Sequence, residues 1–235
     1  MRSITGAAAP GGAITRTAAF GLAALVLASA FGYWGVSAYR KGQLQRTVSA
    51  LVRDSNERLE AALAVETEAS ANSAQTVGRL DEQAQEVDKH VIELHDLSAS
   101  RNRPLVAAAE DYLLTVRQIL REQAASHRYR VQVAASEEKL RNHMSTAGRR
   151  SGAWIDEAVR LKERLEKNYF DYRISVEALE RLLASYPEAR KKIAAQTGAP
   201  LLADEAVEIA RKRTLAGSKR IAASVEQARQ LAAVH

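Results

Sequence analysis

Between Gln43 and Leu97 the chain runs without a proline and with a single glycine, Gly78, while apolar residues return every three or four positions. Val52, Leu59, Leu63, Val77, Leu80, Ala84, Val87, Val91 and Leu94 share one heptad register. That period belongs to a helix with one buried stripe, not to a strand, whose side chains alternate. Glu66, Ser70 and Ser73 occupy the middle of the stripe, so the seam is apolar at both ends and polar at its centre. Read as one helix over about 43–97, the segment extends about 80 Å.

A second seam follows Pro104, whose missing N–H costs little at a helix start. Leu105, Ala109, Tyr112, Val116, Ile119, Gln123, Ser126, Arg130, Val133, Glu137, Leu140 and Met144 recur at helical spacing up to about residue 147. Folded back around residue 101, the two seams match. Val91 then faces Tyr112, Val87 faces Val116, Ala84 faces Ile119, Glu66 faces Glu137, Leu63 faces Leu140 and Leu59 faces Met144. Both turn polar at the same height, which argues for an antiparallel hairpin.

Two more helices are expected. One, over 152–186, carries Leu161, Leu165, Tyr169, Tyr172, Val176, Leu179, Leu183 and Tyr186, and Pro187 should stop it because the residue before proline avoids helical dihedrals. The other, over 201–233, places Leu202, Ala206, Ile209, Ile221, Val225, Ala228 and Leu231 inward. Glu-to-Lys/Arg pairs four apart, such as Glu163–Lys167 and Glu177–Arg181, mark the faces that meet water. Twelve glycines and four prolines are too few turn formers for a β-sandwich. The expected fold is therefore all-α: a single N-terminal transmembrane helix, then an elongated up-down-up-down antiparallel bundle with coiled-coil-like packing.

The membrane expectation rests on residues 17–39, which carry no charge and include Phe20, Leu22, Leu25, Val26, Leu27, Phe31 and Val36. As a helix the run spans about 34 Å, against a hydrocarbon core of about 30 Å. Arg16 bounds it on one side and Arg40-Lys41 on the other, with Tyr33, Trp34 and Tyr39 near the second boundary as an interfacial belt. A tail over 1–16, an anchor over 17–40 and a helical body over 41–235 follow. Ala28-Ser29-Ala30 also fits a signal-peptidase site, but the apolar run continues past it, which favours an uncleaved anchor. Ala24, Ala28 and Gly32 stand four apart, a small-residue face on which two anchors can pack.

Orientation draws on opposing arguments. Arg40, Lys41, Arg46 and Arg53 outnumber Arg2 and Arg16, which favours a cytoplasmic body by the positive-inside rule. Long domains, however, translocate largely regardless of flanking charge, and a short tail, one anchor and a long helical body is the layout of a bacterial envelope protein. The expected place is the bacterial inner membrane, single-pass, with the bulk of the chain periplasmic.

The formal charge of +6 invites a nucleic-acid reading, yet Arg2, Arg16, Arg40 and Lys41 supply four of those six charges. The remaining 30 basic and 28 acidic side chains make a mixed surface rather than a phosphate-binding stripe. No nucleic-acid partner is expected; the lipid bilayer and one or more protein partners, a second copy included, are.

Chemistry is sparse. Without cysteine there is no disulfide, thiolate site or thiol nucleophile. His90 and Glu93 are three apart, but no Glu is followed three residues later by His, as carboxylate-bridged di-metal bundles require. No phosphate loop, dinucleotide fingerprint, nucleophile elbow or zinc-protease motif occurs. No catalytic residue, metal ligand or cofactor is expected. Glu66 against Glu137 is the one like-charge contact in the seam. His127, Arg130, Tyr169 and Tyr172 should converge between the second and third long helices, where they would suit a small anion or an amphipathic ligand. Tyrosines at this spacing also simply pack cores with their hydroxyls reaching water.

An anchor followed by an antiparallel bundle resembles, in architecture, the sensory modules of bacterial chemoreceptors. That resemblance implies a ligand-sensing four-helix ectodomain acting through a partner. The other expectation, which the absence of catalytic motifs favours, is a non-catalytic, membrane-anchored interaction or scaffold protein of the envelope.

Overall fold

The computed structural model describes residues 39, 41–64, 73–97, 103–146 and 151–233, less the side chains of Ser73 and Ala233. They fall into two units that divide after Arg46. In the first, residues 41–46 are helical, and Gln43 Nε2 donates to Tyr39 Oη at 2.9 Å. The anchor over 17–40, with Ala24, Ala28 and Gly32, lies outside the described residues except for Tyr39. None of the described helices is long and apolar enough to cross a membrane.

The second unit is all-α, with five helices packed against one another and no strand among the described residues. They are α1 (47–64), α2 (Ser73–Asp96), α3 (Arg103–Ser145), α4 (Gly152–Thr197) and α5 (Asp204–Ala233). α3 and α4 extend about 65 and 69 Å, and α3 packs against α2, α4 and α5.

Polar partners give the helix directions. As α3 advances, α4 retreats: Asp111 meets Lys192, Glu122 meets Ser175, Ser136 meets Asn168 and His143 meets Trp154. α5 runs back along α4 through Arg190–Asp204, Glu180–Arg211 and Glu166–Arg229. α2 opposes α3 through Asp88 with Arg117 and Arg121, and Asp81 with Arg128. That is close to the expected hairpin register. Exposed pairs of this kind contribute about 0–1 kcal/mol each; the fully buried Val87, Leu80, Leu94, Val116, Ile119 and Leu120 beneath them carry the energy.

α1 departs from expectation. Asn56 bonds Tyr112, and the Ala62 carbonyl bonds Gln123, so α1 runs parallel to α3 and antiparallel to α2. A single helix over 43–97 would have carried Ala62 to the level of Arg141, about 27 Å further along α3 than Gln123. The pairs Leu63–Leu140 and Leu59–Met144 are therefore not formed. Leu140 instead packs in a cluster with Val133, Leu165, Tyr172, Val176, Val225 and Ala228 from α3, α4 and α5. The heptad stripe misleads because it has the same spacing whether the chain continues or doubles back.

α4 also outruns its expected end, continuing through Pro187 to Thr197. An interior proline removes one backbone bond and costs about 3 kcal/mol. The next turns offset that cost: Ala189 and Ile193 are buried, Arg190 reaches the Leu202 carbonyl and Asp204, and Lys192 reaches Asp111. Along α5 Val225 and Ala228 are buried as expected, but in its first turns the buried positions are Val207, Ala210 and Thr214 rather than Ala206 and Ile209, and Leu231 faces out.

Ser151 starts α4 by accepting the Trp154 N–H on its hydroxyl at 3.3 Å, and Gly198, at φ 62°, ends it by donating its N–H to the Ala194 carbonyl at 2.9 Å. A Cβ on Gly198 would meet nothing within 4 Å. The cost of Gly198→Ala is thus the left-handed backbone alone, about 1 kcal/mol. Urea unfolding should show the unfolding free energy fall by that amount, through a lower midpoint at an unchanged slope.

Candidate functional site

Three buried polar groupings interrupt the apolar interior, all on the half of α3 flanked by α1 and α2. The first centres on Asn56. Its Oδ1 accepts the Leu202 N–H at 2.7 Å, the Tyr112 hydroxyl at 3.1 Å and the Tyr186 hydroxyl at 3.4 Å. The two tyrosine rings tilt against each other with centroids 5.9 Å apart. Burial pushes both phenols up, so they stay neutral donors. This oxygen joins α1, α3, α4 and the chain entering α5.

The second grouping links α1 to α2. His90 Nδ1 lies 2.9 Å from Ser55 Oγ, and its Nε2 lies 3.1 Å from Asp54 Oδ2, which Arg58 also holds at 2.8 Å. Ser, His and Asp are the groups of a hydrolytic relay, but Ser55 is fully buried and offers its hydroxyl to no substrate. Glu93, the other member of the expected pair, is exposed, and no cluster of three or more His, Asp or Glu able to hold a metal occurs among the described residues.

The third grouping holds two of the expected pocket residues, His127 and Arg130. Gln123, Ser126 and His127 are buried on α3. Gln123 Nε2 donates to the Ala62 carbonyl at 2.9 Å, tying α3 to α1. Arg130 Nη2 lies 3.0 Å from His127 Nδ1. Arginine only donates, so Nδ1 must accept and the proton sits on Nε2, a buried N–H without a partner. Burial, and then the Arg130 charge, hold the imidazole down at about pKa 4.

Of the four expected pocket residues, His127 and Arg130 pair with each other on α3, and Tyr172 and Tyr169 of α4 belong to the cluster formed by α3, α4 and α5. Tyr169, half-buried, has Arg229 of α5 over its ring at 5.9 Å. Glu137 pairs with Arg141 at 2.6 Å and accepts from Ser224; Glu66 lies outside the described residues. Open surface grooves of about 510 Å³ lie elsewhere, one lined by Pro104, Asp111 and Lys192 and another by Arg117, Arg121 and Arg181.

The outer face of α4 carries a feature the seam-based reading passes over. Ile155, Val159, Phe170 and Ile174 are 51, 49, 59 and 49% exposed, with Phe170 and Ile174 on the side opposite the buried Leu165, Tyr172 and Leu179 and Val159 and Ile155 turning towards its flank. Their 4–11–4 spacing keeps them on one stripe at 100° per residue. The signal was present in the sequence as a second apolar periodicity, hidden because Phe170 sits among the inward-facing tyrosines. No family model, curated protein or solved structure matches the chain.

Proposed function

We propose that the chain is a non-catalytic interaction or scaffold protein of the bacterial envelope, anchored in the inner membrane by residues 17–40, with its helical body on the periplasmic side. In this reading the body is an elongated, coiled-coil-like antiparallel bundle whose outer faces dock protein partners. The observation that carries it is the α4 stripe: four large apolar side chains left in water on a helix whose other face is fully packed. They form two apolar pairs, Ile155 with Val159 and Phe170 with Ile174, on either side of the charged residues 162–167, and exposed apolar patches on a packed body mark interaction sites. The uncharged run from Thr17 to Tyr39 supports the anchor. The ligand-sensing alternative draws less support, since His127 is buried and paired with Arg130 within its own helix.

The full chain is expected to stay with membranes after carbonate washing, and a C-terminal alkaline phosphatase fusion should be active. Purification in mild detergent should yield a stoichiometric complex. Release by carbonate removes the anchor, an inactive but stable fusion moves the body to the cytoplasm, and recovery of a monomer at every detergent concentration removes the docking role.

A further inference from the structure

The stripe on α4 has a symmetry that a face for an unrelated partner does not need. Ile155 and Ile174 are equidistant from a point between Arg164 and Leu165, and so are Val159 and Phe170. The charges follow the same pattern, for Lys162-Glu163-Arg164-Leu165-Glu166-Lys167 reads Lys-Glu-x-x-Glu-Lys from either end. We propose that this face of α4 docks a second copy of the same chain, antiparallel, about a two-fold axis between residues 164 and 165.

In an isologous contact residue i meets j and j meets i. Ile155 of each copy then meets Ile174 of the other, and Val159 meets Phe170. Helical rotation decides which charges fall on the same flank. Glu163 and Lys167 lie on one flank, and Lys162 and Glu166 on the other. In antiparallel pairing each flank faces its own counterpart, so Glu163 of one copy comes beside Lys167 of the other, and Glu166 beside Lys162. Arg160 and Asp171, further out on the first flank, come together in the same way. All three are opposite-charge contacts, set against the approach of the two Glu163 side chains, and of the two Glu166 side chains, across the axis, which keeps the pairing weak. Glu166 already reaches Arg229 within its own body at 3.7 Å, which fixes its side chain on the rim rather than in the seam.

The stripe is about 29 Å long and supplies four apolar side chains per copy. That is small beside the 1,200–2,000 Å² or so of a standard stable interface. The dimer should therefore be reversible and depend on concentration. The inference names a partner for the docking role and rests on that reading only in this respect. Its test reads crosslinks on α4, whereas carbonate extraction reads the anchor, so either can fail alone.

The chain has no cysteine, which makes introduced thiols unambiguous. The full-length protein in mild detergent is treated with a short bismaleimide as Val159→Cys, Phe170→Cys, the double variant and Glu163→Cys. In the antiparallel pair two copies of position 159 stand about 16 Å apart along the axis, while 159 and 170 are level and the two 163 positions are within about 5 Å. The double variant and Glu163→Cys should crosslink to dimers at least tenfold more than either single variant at 159 or 170. Val159→Cys crosslinking as strongly as the double variant would mean a parallel pairing and overturn the proposal. Absence of dimer in both the double variant and Glu163→Cys, with helical content intact by circular dichroism, would overturn it too.

Discussion

Asn56→Leu should destabilise the body by about 3–5 kcal/mol, more than any exposed substitution on the same helix. Leucine matches the volume of asparagine closely enough to leave no cavity, so packing loss is not the main term. The loss comes from the donors. Asn56 Oδ1 serves Tyr112, Tyr186 and the Leu202 N–H, and both tyrosines are fully buried. The two hydroxyls stand 3.4 Å apart and can satisfy one another once, leaving one O–H and the Leu202 N–H without acceptors. A buried donor so orphaned costs about 1–3 kcal/mol. The double variant Tyr112→Phe/Tyr186→Phe separates the terms. It removes two of the donors and should recover 1–2 kcal/mol or so when added to Asn56→Leu, although it destabilises the native chain. Urea unfolding followed by circular dichroism reads both. A loss below about 1 kcal/mol for Asn56→Leu would mean that water already serves these groups.

How much of this was legible beforehand depends on what periodicity encodes. The stripes on α3 and α4 were readable, and Leu105, Ala109, Tyr112, Val116, Ile119, Leu165, Val176, Leu179 and Leu183 are buried where the 3–4 rhythm puts them. Chain direction was not. Val52, Leu59 and Leu63 keep the heptad phase of Val77, Leu80 and Val87, and the residues between carry neither glycine nor proline. A continuous helix and a doubled-back pair satisfy that pattern equally. The polar positions held the missing information. Gln123 and Ser126 read as the middle of a long seam, yet Gln123 reaches the Ala62 carbonyl of α1. Asn56, on the apolar stripe of α1, was the other clue, because a buried amide needs partners and those partners fix what packs beside it.

The candidate pocket fared differently, for a related reason. Helical spacing placed His127 and Arg130 on one stretch of α3 and Tyr169 and Tyr172 on one stretch of α4. Spacing cannot say which cation turns towards which ring. Arg229 comes from α5 to cover Tyr169, and Arg130 lies 3.0 Å from the His127 nitrogen, contacts that the spacing of α3 and α4 does not encode. The exposed stripe on α4 shares the helical period of the buried one, and a helix can carry both.

Acidification should weaken the body through His127. In the unfolded chain this imidazole titrates near its ordinary 6.5, whereas burial and the Arg130 guanidinium hold it at about 4 in the fold. As pH falls below 6.5 the unfolded chain takes up the proton first, so stability declines until the folded pKa is reached and is then flat for this group. A gap of that size corresponds to about 3 kcal/mol, most of it lost by pH 4.5. Protonation also opposes the Arg130 contact directly, since Nδ1 would change from acceptor to donor against a group that only donates. The sign is the reverse of an ordinary surface histidine in an ion pair, which gains from acid. Carboxylates titrate in the same window, so the comparison is with His127→Gln, whose amide keeps an acceptor for Arg130 and cannot be protonated. Between pH 7 and 4.5 the native chain should lose about 2–3 kcal/mol more than the variant in urea unfolding. Parallel declines for the two proteins would mean that His127 reaches water, and that the polar level beside α1 is open rather than dry.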